Sequence, residues 1–141
     1  MRIGLSLIVV GVVIAGGAPI VAHHAFSAEF DGNRPITLRG TVVKMEWVNP
    51  HSWITMEVKS PDGKVEAWEV EAGAPNAMFR RGFRKDSLQP GTEIVIEGFR
   101  AKSGKNMANG RDITFAADGR KLFMGSSGTG APRDGRDATE K

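Results

Sequence analysis

Alternation of apolar and polar residues is the feature that most constrains how this chain folds. It runs through "ITLRGTVVKMEWV" (Ile36–Val48), and then through "SWITMEVKS" (Ser52–Ser60) and "KVEAWEVEA" (Lys64–Ala72). Successive side chains of a strand point to opposite faces, so this period predicts three half-buried strands. The "PDG" turn between the second and third runs favours a hairpin, because Pro sets a negative φ and Gly supplies a positive one. In the first run, Gly40 or the Val42-Val43 pair indicates a β-bulge.

A short helix and two or three further strands are predicted after the hairpin. Pro75 suits the first turn of a helix and Gly82 suits its end, which predicts a helix over about residues 75–81. The run Thr92–Lys102 alternates cleanly and predicts a fourth strand. The run "SGKNMANG" is typical of a loop, "RDITFA" predicts a fifth strand, and "DGRKLFM" predicts a short additional one.

This order of elements predicts an all-β fold with one short helix. A long first strand, a hairpin, and a helix between strands 3 and 4 are the order of a small OB-like open barrel of five to six strands. A small β-sandwich is the alternative, although it requires no helix at that point. The length of 141 residues suits one domain better than two.

The first 22 residues have the organisation of a signal peptide. Arg2 supplies the positive charge, Ile3–Ala15 is apolar, and small or breaking residues follow up to Ala22. Cleavage after Ala22 is favoured, because a cut after Ala25 would place a bulky histidine three residues upstream. An uncleaved membrane anchor is the alternative, but the glycines and proline at the end of the apolar run argue against it.

The chain is therefore expected to divide into four segments. A signal peptide (1–22) is followed by an N-terminal arm (23–35), a β-barrel domain (36–124) and a disordered tail (125–141) rich in Gly, Ser, Asp and Arg. Such a protein would be periplasmic or secreted, with no stable membrane span after cleavage. The sequence does not determine an oligomeric state.

Charge and cysteine content exclude several classes of function. Removal of residues 1–22 takes away one of the 19 basic residues and none of the 16 acidic ones, so the net charge falls from +3 to +2. Acids and bases are interspersed, which is typical of a solvated surface and not of a nucleic-acid-binding one. The absence of Cys excludes disulfides, thiolate metal sites and a lipidated N-terminal Cys.

Five motifs in chain order resemble a known family. They are "AHHAFSAEFD", "GTVVKMEWVNPHSWI", "GAPNAMFRRGF", "SLQPGTEIVIEGFRAKSG" and "GRKLF", and together they span about residues 22–127. The family is one of small exported bacterial proteins described only as a domain of unknown function. The resemblance implies an exported, β-rich domain and assigns no activity.

The three histidines are the main candidates for a binding site. His23 and His24 lie at the predicted mature N-terminus, and His51 lies in the "NPHSW" turn at one end of the predicted barrel. Cleavage after Ala22 would give His23 a free α-amine, so its amine and its ring could chelate one metal, with His51 or His24 completing the set. Nitrogen donors in this arrangement favour Cu(II), and they resemble the histidine brace of exported copper proteins in local chemistry only.

The alternative is that the histidines have ordinary roles. His23 and His24 would then be solvated, and His51 would cap a turn or pack beside Trp53. The sequence establishes no cofactor, and copper is the metal that this donor set would favour. Five methionines offer thioethers, but their scatter favours core packing; they are Met45, Met56, Met78, Met107 and Met124.

A partner-binding surface is the second candidate site. A basic run interleaved with phenylalanines contains Arg80, Arg81, Arg84 and Lys85. It could bind an acidic partner such as an envelope protein, an anionic lipid surface or a polyanion, although cations also suit a helix C-terminus. Trp53 could stack on a ligand or pack in the core. No nucleophile motif or catalytic set is present, so we expect a binding protein and not an enzyme. A structural or interaction module of the cell envelope, without metal, is the alternative function.

Overall fold

The structure, a computed structural model, describes residues 26–125, and these form two short helices and six strands. The helices are α1 (Phe26–Glu29) and α2 (Pro75–Arg80), and the strands are β1 (Phe30–Glu46), β2 (Trp53–Lys59), β3 (Val65–Glu71), β4 (Glu93–Ala101), β5 (Met107–Phe115) and β6 (Lys121–Phe123). The predicted signal peptide (1–22), His23, His24 and the tail beyond Gly125 lie outside the described residues.

The six strands form one sheet that closes on itself. The strand order is β3-β2-β1-β4-β5-β6, and β3 also pairs with β5. In the described range, the β3–β5 pairing is parallel and the other five pairings are antiparallel. Each of β1 to β5 therefore has neighbours on both sides, which removes most of the exposed edges that would otherwise invite aggregation.

The length and bending of β1 allow it to pair with two strands. Its 17 residues pair with β2 through the second half and with β4 through the first half and centre. A register shift between Val42 and Lys44 confirms the predicted bulge, which bends the strand. Gly40 lies where β1 and β2 approach closely, because a Cβ there would be 2.0 Å from the carbonyl oxygen of Glu57.

Alternation along the strands directs one set of side chains into the ring. Ile54, Met56, Val70 and Ile96 come from three different strands and are each 0% exposed. Sixteen buried residues form this main core, with Trp68 from β3 and Met78 from α2 among them. Burial of apolar surface is the dominant favourable contribution to folding, so these inward positions hold the ring together.

A second apolar cluster lies on the opposite face of the sheet. It contains Phe26 of α1, Phe30 of β1, and Phe99 and Ala101 of β4, with Met107 packed against them. The ring of Phe26 meets Phe99 edge-to-face, with centroids 5.5 Å apart. We call these five residues the arm-anchoring cluster, because they attach the start of the described chain to the sheet.

The described elements differ from the expectations at four points. Two helices are present where one was expected, and β1 begins at Phe30 instead of Ile36 because Phe30 pairs with Ala101 of β4. The expected loop at residues 103–110 is only partly a loop: Met107 onward is strand, since β3 and β4 pair with it on both sides. Gly125, expected to begin the disordered tail, is buried and donates its amide to the Arg111 carbonyl at 3.2 Å.

Within residues 26–125, neither helix has the length or apolar character needed to cross a membrane.

Candidate functional site

The β2–β3 hairpin positions the loop that contains His51. Next to the turn, Lys59 of β2 pairs with Val65 of β3. The same register places Trp53, at the start of β2, opposite Glu71, at the end of β3. The backbone pairing then extends past the strand end, where the Ser52 amide donates to the Gly73 carbonyl at 3.1 Å. His51 is therefore held beside the end of β3.

His51 forms an ion pair with Glu71. Its Nδ1 contacts Oε1 of the carboxylate, and the two side chains are 17% and 6% exposed. The hydrogen bond to Glu71 raises the pKa of His51 above its ordinary value, against the opposing effect of burial. Glu71 lies on the outward face of β3, where a buried carboxylate requires a partner such as this one.

This contact sets the direction of the imidazole. With Nδ1 bonded to a carboxylate, Nε2 is the ring nitrogen whose lone pair a metal ion would use. Metal-bound histidines usually donate their other ring N–H to a carboxylate or carbonyl, which fixes the tautomer and raises the basicity of the ligand. The His51–Glu71 pair has the arrangement of a metal ligand and its supporting carboxylate.

The surroundings of the pair are acidic. Trp53, half-buried, is directly opposite Glu71 on one side and Glu46 on the other, so all three side chains share the outward face. Glu69 lies one row away on the same face and accepts a hydrogen bond from Thr55 Oγ1 at 3.1 Å. Lys44 Nζ contacts Glu46 Oε1 at 2.7 Å and His51 contacts Glu71, so two of these three carboxylates are partly neutralised by basic partners.

The arm-anchoring cluster lies on the same face as Glu71. Phe99 is directly opposite Asn109 of β5, and Asn109 is directly opposite Glu71 of β3. Two strand spacings, about 10 Å, therefore separate the backbone at Phe99 from the backbone at Glu71. Phe26 contacts Phe99, so it lies on the face of the sheet that also carries Glu71.

Within residues 26–125, no group of three or more His, Cys, Asp or Glu side chains is arranged to hold a metal ion. His51 and Glu71 are two residues, and the other predicted ligands, His23 and His24, lie outside the described range. A complete site would therefore need donors from outside residues 26–125 in addition to His51.

The predicted basic surface divides into two parts. Arg84 and Lys85 are exposed, as is Arg80. Arg81 is partly buried and has an internal role, because its guanidinium stacks on Phe123 at 4.4 Å and Nη1 donates to the Gly125 carbonyl. Arg81 therefore connects Phe123 and Gly125 to the end of α2.

An aromatic contact joins the basic segment to the β1–β2 loop. Trp47 packs on Phe79 with ring centroids 4.9 Å apart, and its Nε1 donates to the Lys85 carbonyl at 3.3 Å. Val48, the next residue, is 47% exposed. The loop that carries His51 and the exposed cations of residues 84–85 are thus neighbours in space, although they are far apart in sequence.

Glu71 was not singled out from the sequence. The signal was present, because the "PDG" turn sets the hairpin register and that register places residue 71 opposite residue 53. What the pattern could not show is that His51, beyond the strand end, turns back toward this carboxylate.

Comparison with protein families identifies the chain. A family model matches residues 11–110, well over half of its length. The chain belongs to DUF6152, a family of unknown function. This confirms the resemblance to a domain of unknown function that the motifs indicated. The DUF6152 match includes all three histidines and Glu71, and it ends within β5.

A comparison with curated proteins gave no match.

Proposed function

We propose that this DUF6152 member is an exported, small OB-like open-barrel protein that binds Cu(II). The ligands would be the α-amine and ring of His23, formed by cleavage after Ala22, together with His51, and His24 is a third candidate imidazole. The function is binding, delivery or sequestration of copper. The ring of β1 to β5, with β1 between β2 and β4 and with β3 parallel to β5, supports the barrel assignment.

The main structural support for the metal proposal is the contact between His51 and Glu71. Glu71 holds Nδ1, so the imidazole already has the orientation that a metal ligand needs. An imidazole fixed in advance loses less conformational freedom on binding than a mobile one, which raises affinity. Glu69, on the same face of the sheet, adds a negative charge that favours a divalent cation.

The choice of copper comes from the donor types. An amine and two or three imidazoles form a nitrogen-rich set, which Cu(II) prefers in a planar or T-shaped geometry. The set contains no thiolate, because the chain has no Cys. Copper binding would release protons, since a protonated amine or imidazole must lose its proton before it can coordinate the metal.

The proposal is tested on protein produced with its own leader. Mass spectrometry determines the N-terminal residue, and Cu(II) titration with EPR then measures affinity and the number of nitrogen donors. We expect a chain that begins at His23, nitrogen hyperfine coupling, and at least about a tenfold loss of affinity in His51→Ala.

A chain with one extra glycine before His23 is the matched control. It keeps every side chain but displaces the α-amine, so the amine–ring chelate is lost and affinity should fall. Equal affinity of the wild-type, His51→Ala and glycine-extended chains would reject the proposal.

A second candidate function is an envelope interaction module without metal. The exposed cations Arg84 and Lys85, next to exposed Val48, favour contact with an acidic partner protein. The double variant Arg84→Glu, Lys85→Glu should lose a cross-linked envelope partner that wild-type protein retains. Lys59→Glu, Lys64→Glu, on the hairpin, is the control of equal charge change, and equal loss in both variants would argue against this surface.

A further inference from the structure

We infer that Arg100 and Trp68 form a binding site for an anionic group, a carboxylate or a phosphate, beside an interruption in the ring of strands. The site lies on the inner face of the sheet, whereas Glu71 lies on the outer face. It uses none of the residues assigned to copper, so it stands apart from the proposed function and does not depend on it.

The side chains of Arg100 and Trp68 meet on the inner face. Arg100 is directly opposite Ala108 of β5, and Ala108 is directly opposite Val70 of β3. Directly opposite residues share a face of a sheet, and Ala108 and Val70 belong to the main core. Trp68, two residues before Val70, shares this face and is 4% exposed. The guanidinium carbon of Arg100 lies 5.1 Å from the centroid of the Trp68 indole, which places the two side chains in cation–π contact.

Each of these side chains carries a buried N–H group that has no acceptor. Nε of Arg100 and Nε1 of Trp68 are both buried, and neither has a hydrogen-bond partner within residues 26–125. A buried donor without an acceptor costs free energy, and the cost is larger on a charged group. Trp47 shows the usual arrangement, because its Nε1 donates to the Lys85 carbonyl at 3.3 Å. The two unpaired donors therefore mark a position for an acceptor that the described residues do not supply.

The charge of Arg100 favours an anion as that acceptor. Arg100 takes part in none of the ion pairs formed within the described part of the chain. Glu66 shares the inner face with Trp68 and is half-buried, but it forms no ion pair with Arg100. The planar guanidinium can donate from Nε and a terminal nitrogen in parallel to two oxygens of one carboxylate or phosphate. An anion at this position would satisfy both the charge and the buried donors.

The ring of strands is interrupted beside this position. β3 pairs with β5 only from Glu69 onward, so in the described range Val65–Trp68 has no strand on that side. The loop between β4 and β5 borders the interruption, because the Glu69 amide donates to the Asn106 carbonyl at 3.0 Å. Lys102 and Lys105 of this loop are exposed and attract anions toward the interruption. The half-buried Arg100 side chain connects this edge with the inner face.

The test follows the side-chain N–H signals of the full chain by 1H–15N NMR. Titration with sodium phosphate and, separately, with sodium succinate should shift the Trp68 indole and Arg100 Nε–H signals together, to saturation and with one dissociation constant. The Trp47 indole, which is bonded to the Lys85 carbonyl, should stay in place. Tighter binding of phosphate would assign a phosphate-bearing ligand, and tighter binding of succinate would assign a carboxylate-bearing one. Sodium chloride at matched ionic strength is the control for salt.

Variants of Arg100 test the role of the guanidinium. Arg100→Lys keeps the charge but loses the two parallel donors, so the anion should bind at least about tenfold more weakly. Arg100→Gln should abolish binding. Arg39→Gln is the matched control, because Arg39 is exposed on the outer face and its loss changes the net charge equally. Its affinity should stay within about twofold of wild-type, since an exposed, distant charge is screened.

Three outcomes would overturn the inference. The first is wild-type protein in which neither signal moves with phosphate or succinate, or in which chloride moves both equally; this result needs no variant to fold. The second is an equal loss of affinity in Arg39→Gln and Arg100→Gln. The third concerns Glu66: if Glu66→Gln shifts the Arg100 Nε–H signal without added anion, and anions bind only to that variant, the partner of Arg100 is internal.

Discussion

The two apolar clusters of this domain use the two faces of one strand, β4. Ile94 and Ile96 point into the ring and join the main core, whereas Phe99 and Ala101 point outward and join the arm-anchoring cluster. The main core receives side chains from every long strand and from α2, so its loss affects all of them. The arm-anchoring cluster attaches only the first residues of the described chain to β4 and β5. The two clusters are similarly buried, but we expect loss of the main core to destabilise the whole domain and loss of the arm-anchoring cluster to release only the first described residues.

The largest expected effect is on the main core. Ile96→Ala should lower the free energy of unfolding by about 2–5 kcal/mol, because it removes buried methyl groups and leaves a cavity in a ring that cannot collapse around it. Urea denaturation measures this change. A loss below about 1 kcal/mol would mean that the ring is not the cooperative core.

A smaller and more local effect is expected from Phe26→Ala. The free energy of global unfolding should fall by about 1–3 kcal/mol, less than a main-core Phe→Ala substitution, because the arm opens without the ring. Hydrogen exchange checks this directly. The Lys102 amide, which is bonded to Glu29, should lose protection, while the Val42 amide, bonded to Thr92, should keep it. Equal loss at both amides would show that the two clusters unfold as one.

The His51–Glu71 pair is expected to contribute a pH-dependent part of the stability. The pKa of His51 is raised in the folded protein, so the stabilisation is fully present below the unfolded-state pKa near 6.5 and is lost as pH rises through the folded-state pKa. In metal-free protein, the stability difference between wild-type and Glu71→Gln should be larger at about pH 5.5 than at about pH 8.5. An NMR titration should show the pKa of His51 lower in Glu71→Gln. A difference that grows toward high pH would contradict this sign.

The smallest effect is expected at the exposed cations. Arg84→Ala and Lys85→Ala should each change the free energy of unfolding by no more than about 0.5 kcal/mol, because both side chains are exposed. Thermal denaturation of the two variants measures this. A larger loss would show that the basic segment supports the fold and is not simply available to a partner.

The positions of the strands were predictable because the alternation of apolar and polar residues depends only on residues close together in the chain. The hairpin register followed from the "PDG" turn, and the inward positions of Trp68 and Val70 followed from alternation. The bulge near Val42 was also visible, since two adjacent apolar residues interrupt the pattern. These features depend on residues close together in the chain.

The remaining features depend on partners distant in sequence. Met107 to Gly110 has the composition of a loop, and it is a strand because β3 and β4 flank it. Glycine is needed at position 98, where a Cβ would lie 2.1 Å from the Asn109 carbonyl oxygen. No local pattern of "SGKNMANG" indicates this close approach.

The sequence by itself determined a β-rich domain, its hairpin and the three histidines as the candidate donors. Only the tertiary structure decided that Glu71 holds His51, and that Phe26 docks on the face that also carries Glu71. The reason is physical. Alternation and turn geometry act between neighbouring residues, whereas the cross-strand pairs from Phe99 through Asn109 to Glu71 exist only once the sheet has closed.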